Sequence, residues 1–122
     1  MAISLNHTIV PAHDKEASAK HVAHILGLKY EGAMGHFAPV RVDEKFVLDF
    51  DNRENFESHH YAFQVSEDEF DQIYGRIQED GIVYGSLPGS QDDMQINHRR
   101  GGRGLYWKDA NGHSWEILTV SS

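Results

Sequence analysis

Two stretches of this chain follow one plan, and that duplication limits the folds open to it more than any other feature. Ser4 to Pro11 alternates, with Leu5, His7 and Ile9 on one side and Asn6, Thr8 and Val10 on the other, which is the period of a strand. Asp14 then stands where a helix beginning at Lys15 needs its cap. Ala19, Val22, Ala23 and Leu26 form the apolar stripe, and Gly27 ends it. Short strand-like runs follow at Lys29 to Glu31, Phe37 to Val42 and Lys45 to Phe50. The plan then restarts. His60 to Val65 reads as a strand, and Ser66 with Glu69 makes a capping box for a helix carrying Phe70, Ile73 and Ile77 as far as Gly81. Ile82 to Tyr84, Gly104 to Lys108 and Ser114 to Val120 are the strands expected after it. His7 to Gly27 and His60 to Gly81 are nearly equal in length, so the chain reads as two copies of a βαβββ unit.

At 122 residues the two copies together make one domain of ordinary size, with module one at about residues 1–55 and module two at about 56–122. Cysteine is absent, which excludes disulfides, thiolate metal sites and cysteine nucleophiles. A metal ion would have to be held by imidazole and carboxylate. Nineteen acidic residues against eleven basic ones give a net charge of −8, which repels a phosphate backbone, so no nucleic-acid partner is expected. The opening MAISLNHTIV has neither a cationic start nor a signal-length apolar run, and no apolar stretch is long enough to span a membrane. A cytoplasmic protein with a small-molecule partner is the expectation.

The copies differ in two ways. The second contains a long connection, Ser86 to Gly102, rich in Gly, Ser, Asp and Arg, of the length that active-site lids have. Its last strand holds Glu116 where the first copy holds Asp49. Trp115 and Ile117 are apolar and take one face of that strand, so Glu116 shares the other with Ser114 and Leu118. A carboxylate there needs a partner. A metal cation would serve, and so would an arginine, with Arg41, Arg99, Arg100 and Arg103 available.

Three stretches carry a resemblance to a known family: Leu5-Asn6-His7-Thr8-Ile9-Val10, His60-Tyr61-Ala62-Phe63-Gln64-Val65, and Tyr106 to Ile117 with its Asp109-Ala110-Asn111-Gly112 turn. Together they resemble the vicinal oxygen chelate superfamily, the group of the glyoxalases, bleomycin-resistance proteins and ring-cleaving dioxygenases. The family's last hairpin carries an Asp-Pro-Asp/Asn-Gly turn, of which this chain lacks only the Pro. The resemblance implies an α+β fold in which the two modules form a curved, mostly antiparallel eight-stranded sheet, a cup with two helices on its convex side. It implies His7, His60 and Glu116 as metal ligands, with Asp49 as a possible fourth, and one divalent Fe, Mn, Ni or Zn ion per site. It also implies a homodimer in which His7 meets His60 and Glu116 of a second chain.

The function implied is that of a metal-dependent enzyme holding an oxygen-rich small molecule on the ion: a lyase, a ring-cleaving dioxygenase or a thiol transferase. The alternative from another class is a metal-free small-molecule binding protein of the bleomycin-resistance kind, which has no need of the three ligands. Arg99, Arg100 and Arg103 concentrate positive charge in an acidic chain and are candidates for holding an anionic substrate, or else a solvated loop. His98 and Tyr106 are the candidates for proton transfer or for hydrogen bonding to substrate. His59 adjoins His60 but points to the other face of its strand, which makes it a structural or exposed residue.

Overall fold

Both helices start where side chains satisfy their first backbone N–H groups. The computed structural model describes residues 3–121. Strand β1 (His7–Ala12) leads into α1 (Lys15–Leu26), where the Asp14 carboxylate accepts from the Ala17 N–H and Gly27 ends the helix at φ 74. Helix α2 (Glu67–Glu79) opens on the full capping box, with Ser66 and Glu69 each accepting from the other's backbone N–H. The remaining strands are β2 (Ala38–Arg41), β3 (Val47–Asn52), β4 (His60–Gln64), β5 (Tyr84–Gly85), β6 (Gly104–Lys108) and β7 (Ser114–Leu118). Among the described residues no helix is long and apolar enough to cross a membrane.

The chain divides into two compact units between Phe56 and Glu57. In the first, β3 lies between β1, to which it is parallel, and β2, to which it is antiparallel. Val10, Ala12, Val40, Leu48 and Phe50 are fully buried, as are Ala19, Val22 and Ile25 of α1. The second unit repeats this arrangement and extends it, in the order β4-β7-β6-β5, with β4 and β7 parallel and the other pairs antiparallel. The architecture is therefore α+β with mixed sheets of three and four strands.

Seven strands form among the described residues, against the eight expected. Lys29 to Glu31 stays irregular because Tyr30, flanked by two exposed charged residues, is all it has to bury. The Tyr30 hydroxyl instead donates to Glu16 at 3.2 Å.

In the second unit the two faces of the sheet differ sharply. Trp107, Trp115, Leu105 and Ile117 are fully buried on one face, with Tyr61 and Phe63 stacked on Trp115. His60, Ala62, Ser114, Glu116, Tyr106 and Lys108 alternate with these and occupy the other face. The Ser86–Gly102 connection does not hang free as a lid would. Asp93 accepts from the backbone N–H groups of Ser86 and Gln95, the Asn97 amide donates to the Ser86 carbonyl, and Met94 N–H donates to the Tyr84 carbonyl. The connection also presses on Gly85, where an added Cβ would collide with the Ser90 carbonyl and the Gln91 backbone. Gly85→Ala should therefore lower stability by about 1–3 kcal/mol as the connection is pushed off the sheet, measured as the shift in the denaturation midpoint.

Candidate metal centre

The second unit brings His60 and Glu116 together across its parallel strand pair. His60 is the first residue of β4, and Glu116 lies opposite Ala62 on β7. The His60 Nε2 and Glu116 Oε1 atoms are 2.8 Å apart, with the His60 side chain 46% exposed and that of Glu116 14%. That is hydrogen-bond distance, and it sets an imidazole nitrogen beside a carboxylate oxygen on one sheet face. The arginines available to Glu116 do not displace histidine as its partner: the ion pair Glu116 makes is with His60.

The remaining contacts of Glu116 orient it. Tyr106 lies opposite it on β6 and is 2% exposed. Burial raises the Tyr106 hydroxyl above its usual range, and a hydrogen bond to Glu116 raises it further. Arg99 donates to the same hydroxyl at 3.2 Å. Arg99 with Tyr106 and His60 with Glu116 thus form two hydrogen-bonded pairs side by side on this face.

Beside Glu116 is a cavity of about 280 Å³ lined by Arg99, Arg100, Arg103, Asn97 and Leu118, among others. The three arginines named from the sequence therefore line one cavity together with Glu116. They are not equivalent, however. Arg103 is engaged by Glu67 and Asp71 of α2, each at 2.8 Å, and lies over the Phe70 ring at 4.4 Å. Arg100 adopts φ 56 in a tight turn over Arg99–Gly101. His98 is exposed at the start of that turn and is not among the residues lining the cavity.

In the first unit, His7 opens β1 as His60 opens β4. Its Nδ1 is 2.7 Å from the Asn6 side-chain oxygen. That contact holds the ring by one nitrogen and leaves Nε2 as the other. Asp49 lies opposite Ile9, two residues past His7, just as Glu116 lies opposite Ala62, two residues past His60. Asp49 is thus the counterpart of Glu116 and is half-buried. Within either unit, among the described residues, no three His, Asp or Glu side chains form a ready ligand set.

His59 lies on the opposite face from His60, near the Tyr61 and His113 rings. His113 is fully buried and its Nδ1 accepts from the His59 N–H at 2.9 Å. Asp109 organises the last turn: it accepts from the N–H groups of Asn111 and His113 and from the Trp115 indole, each at 2.9 Å. Sequence reasoning overlooked Asn6, whose side chain contacts the His7 ring at 2.7 Å, and Gln91, which donates to the Ser114 hydroxyl at 2.9 Å. Adjacency to a histidine was the only signal for Asn6, and Gln91 had none.

No protein-family model matches the chain. Solved structures similar over nearly all of it include two oxidases. One is the oxidase ChaP-H2, at 49% identity and TM-score 0.93, with 99% of this chain and 96% of that one covered. The other is the oxidase ChaP-H1, at 47% identity and TM-score 0.92, covering 98% of each chain. The metallothiol transferase FosB of Lysinibacillus sphaericus (strain C3-41) is 26% identical over 125 residues, which is 95% of this chain and 82% of that protein. A lactoylglutathione lyase from Agrobacterium tumefaciens shares the fold at TM-score 0.72 and 16% identity, over 95% of this chain and 92% of that one. With its βα-initiated repeat, its paired histidine-led strands and these relatives, the chain belongs to the vicinal oxygen chelate superfamily.

Proposed function

We propose that this protein is a metal-dependent oxidative enzyme whose ion is held by His60, Glu116 and His7, with His7 supplied by the same chain or by a second copy in a homodimer. The observation that carries this reading is the 2.8 Å approach of His60 Nε2 to Glu116 Oε1 on an open sheet face. Two imidazoles and one carboxylate are the donor set of non-haem iron oxygenases, which leave positions open for substrate and oxygen. Two relatives, at 49% and 47% identity, are oxidases, which favours iron over Mn, Ni or Zn and oxidation over isomerisation or thiol transfer. The metal-free binding alternative lacks a comparable observation, because a binder does not need the approach of His60 to Glu116.

The ion, when bound, would supply Lewis acidity and a place for two adjacent substrate oxygens. The protein residues do the rest. Tyr106 keeps its proton, because burial and the neighbouring carboxylate both raise its pKa. It is therefore available as a neutral donor on the face that holds Glu116, and we assign the hydrogen-bonding role to it rather than to His98. Arg99 and Arg100 hold the anionic part of the substrate at the cavity beside Glu116. Asp49 is a candidate fourth ligand, but its side chain is one methylene shorter than that of Glu116.

The test needs no substrate. Iron(II) added without oxygen, followed by nitric oxide, should give the half-integer-spin resonance of an iron–nitrosyl centre. A resonance that is absent, or unchanged in Glu116→Ala, would remove the oxidative reading. Arg99→Gln should weaken binding of inorganic phosphate, used as an anion probe, by roughly tenfold or more, as expected for one charge-assisted hydrogen bond. Equal affinity in calorimetry would take Arg99 out of the substrate site.

A further inference from the structure

Strands β2 and β3 of the first unit bury one face and leave the other open. Ala38, Val40, Leu48 and Phe50 are fully buried, so Pro39, Arg41, Val47 and Asp49 take the opposite face. On that face is a cavity of about 220 Å³ lined by Lys29, Glu31, Met34, Pro39, Arg41 and Val47, among others.

Arg41 gives the cavity its chemistry. Its Nη1 donates to the backbone carbonyls of Asp43 and Glu44, at 3.1 and 3.2 Å. The Asp43 carboxylate is taken by the N–H groups of Lys45 and Phe46. Among the described residues no carboxylate pairs with Arg41. Neutral partners thus hold the exposed guanidinium by one nitrogen and leave its Nε–Nη2 edge free to donate. The apolar wall beside it is fixed as well. Met34 exchanges both backbone hydrogen bonds with Phe37, yet it is 72% exposed.

We propose that this cavity binds an organic carboxylate, whose two oxygens accept from the Nε–Nη2 edge of Arg41 while its apolar body lies against Met34, Pro39 and Val47. The lining selects that class. Lys29 and Arg41 against Glu31 leave one positive charge, which suits a monoanion. The two parallel N–H groups of a guanidinium edge match the two oxygens of a carboxylate. The volume is below the roughly 300–1,000 Å³ of pockets for drug-sized molecules, so the cavity takes a small ligand or one end of a larger one. On its other side Arg41 borders a cavity lined by Ser4, Asn6, Glu44 and Lys45, which are all polar, so the apolar body belongs on the Met34 side.

The register connects this site to the proposed metal ligand of the same unit. Arg41 is paired with Val47, and Val47 with His7. At about 4.8 Å per strand, Arg41 and His7 are roughly 10 Å apart at the backbone, on one face of the sheet. As a substrate subsite the cavity rests on the metal-centre reading above: the substrate would chelate near His7 and place a carboxylate at Arg41. The binding site itself does not depend on that reading.

The experiment titrates the full, isotopically labelled chain by NMR with no metal added. The probes are benzoate, benzyl alcohol, which keeps the ring without the charge, and inorganic phosphate, which keeps a charge without the ring. Benzoate should give saturable shifts at the Gly32, Met34 and Val47 backbone amides and at the Arg41 Nε–H. The other two probes should bind there about fivefold more weakly or worse, the difference one charge-assisted hydrogen bond makes at an exposed site. Arg41→Gln should bring benzoate down to the level of benzyl alcohol. Benzyl alcohol binding as tightly as benzoate would overturn the proposal and leave an apolar surface patch. Phosphate binding as tightly would also overturn it and leave an unselective cationic surface, and so would benzoate shifts that do not saturate. The wild-type comparison stands alone should the variant fail to fold. Because no metal is present, failure here leaves the metal centre untouched, and failure of the metal centre leaves this titration readable.

Discussion

His60→Ala should weaken binding of a divalent cation by a hundredfold or more while leaving the second unit folded. Loss of a supporting group beside a ligand already costs about 10–100-fold in metal affinity, and His60 is proposed as a ligand itself. The fold should survive because the His60 side chain is half exposed at the start of an edge strand and the buried face lies on the other side of the sheet. The variant also leaves the Glu116 carboxylate without its ion-pair partner, and Glu116 is only 14% exposed. Some of that cost returns as a small loss of stability. Zinc titration with a competing chelator measures the affinity, and the denaturation midpoint reports the fold. His59→Ala is the control. The hydrogen bonds of His59 are made by its backbone, and its ring is exposed on the other face, so metal affinity should be unchanged and stability should move by about 0.5 kcal/mol or less. Metal binding equal to wild type in His60→Ala would remove the histidine from the site.

Asp109→Ala should be the most damaging change away from the metal ligands, at about 3 kcal/mol or more, since a buried donor that loses its acceptor costs about 1–3 kcal/mol and several would lose theirs together. The Asp109 carboxylate accepts from the backbone N–H groups of Asn111 and His113 and from the indole of Trp115, which is fully buried. It therefore ties the β6–β7 turn to the aromatic core of the second unit. Trp115 is also the residue before Glu116, so loosening it loosens the carboxylate on the opposite face. The expected result is a large fall in the denaturation midpoint together with weakened metal affinity. Asp109→Asn keeps one acceptor and should recover part of both. A stability within about 0.5 kcal/mol of wild type would show that the turn does not depend on this side chain.

Features set by neighbouring residues were legible in the sequence. The Asp14 cap, the Ser66–Glu69 capping box and the Gly27 stop each act within one helical turn, and each helix begins at or within one residue of its cap. Alternation put Glu116 and His60 on the same face, because a two-residue period fixes a side once the buried partners Trp115 and Ile117 are recognised. Where the outcome depends on distant partners, the sequence was a poorer guide. Lys29 to Glu31 has strand-like residues but too little to bury, and Tyr30 binds Glu16 instead. The Ser86–Gly102 connection has the composition of a mobile lid, yet Asp93, Asn97 and the close approach at Gly85 tie it down. Arg103 looked like its neighbours Arg99 and Arg100 until the position of α2 gave it Glu67 and Asp71. Gln91 could not be recognised from sequence, because its partner Ser114 lies on a strand far along the chain.

The most direct test of the proposed centre is the metal content per chain of protein purified without an affinity tag, with His7→Ala and Glu116→Ala prepared alongside. The account predicts one divalent ion per chain, iron when purified without oxygen, and its loss from both variants. Wild-type protein that is empty and takes up no iron, manganese, nickel or zinc would contradict it, and so would variants that keep the metal.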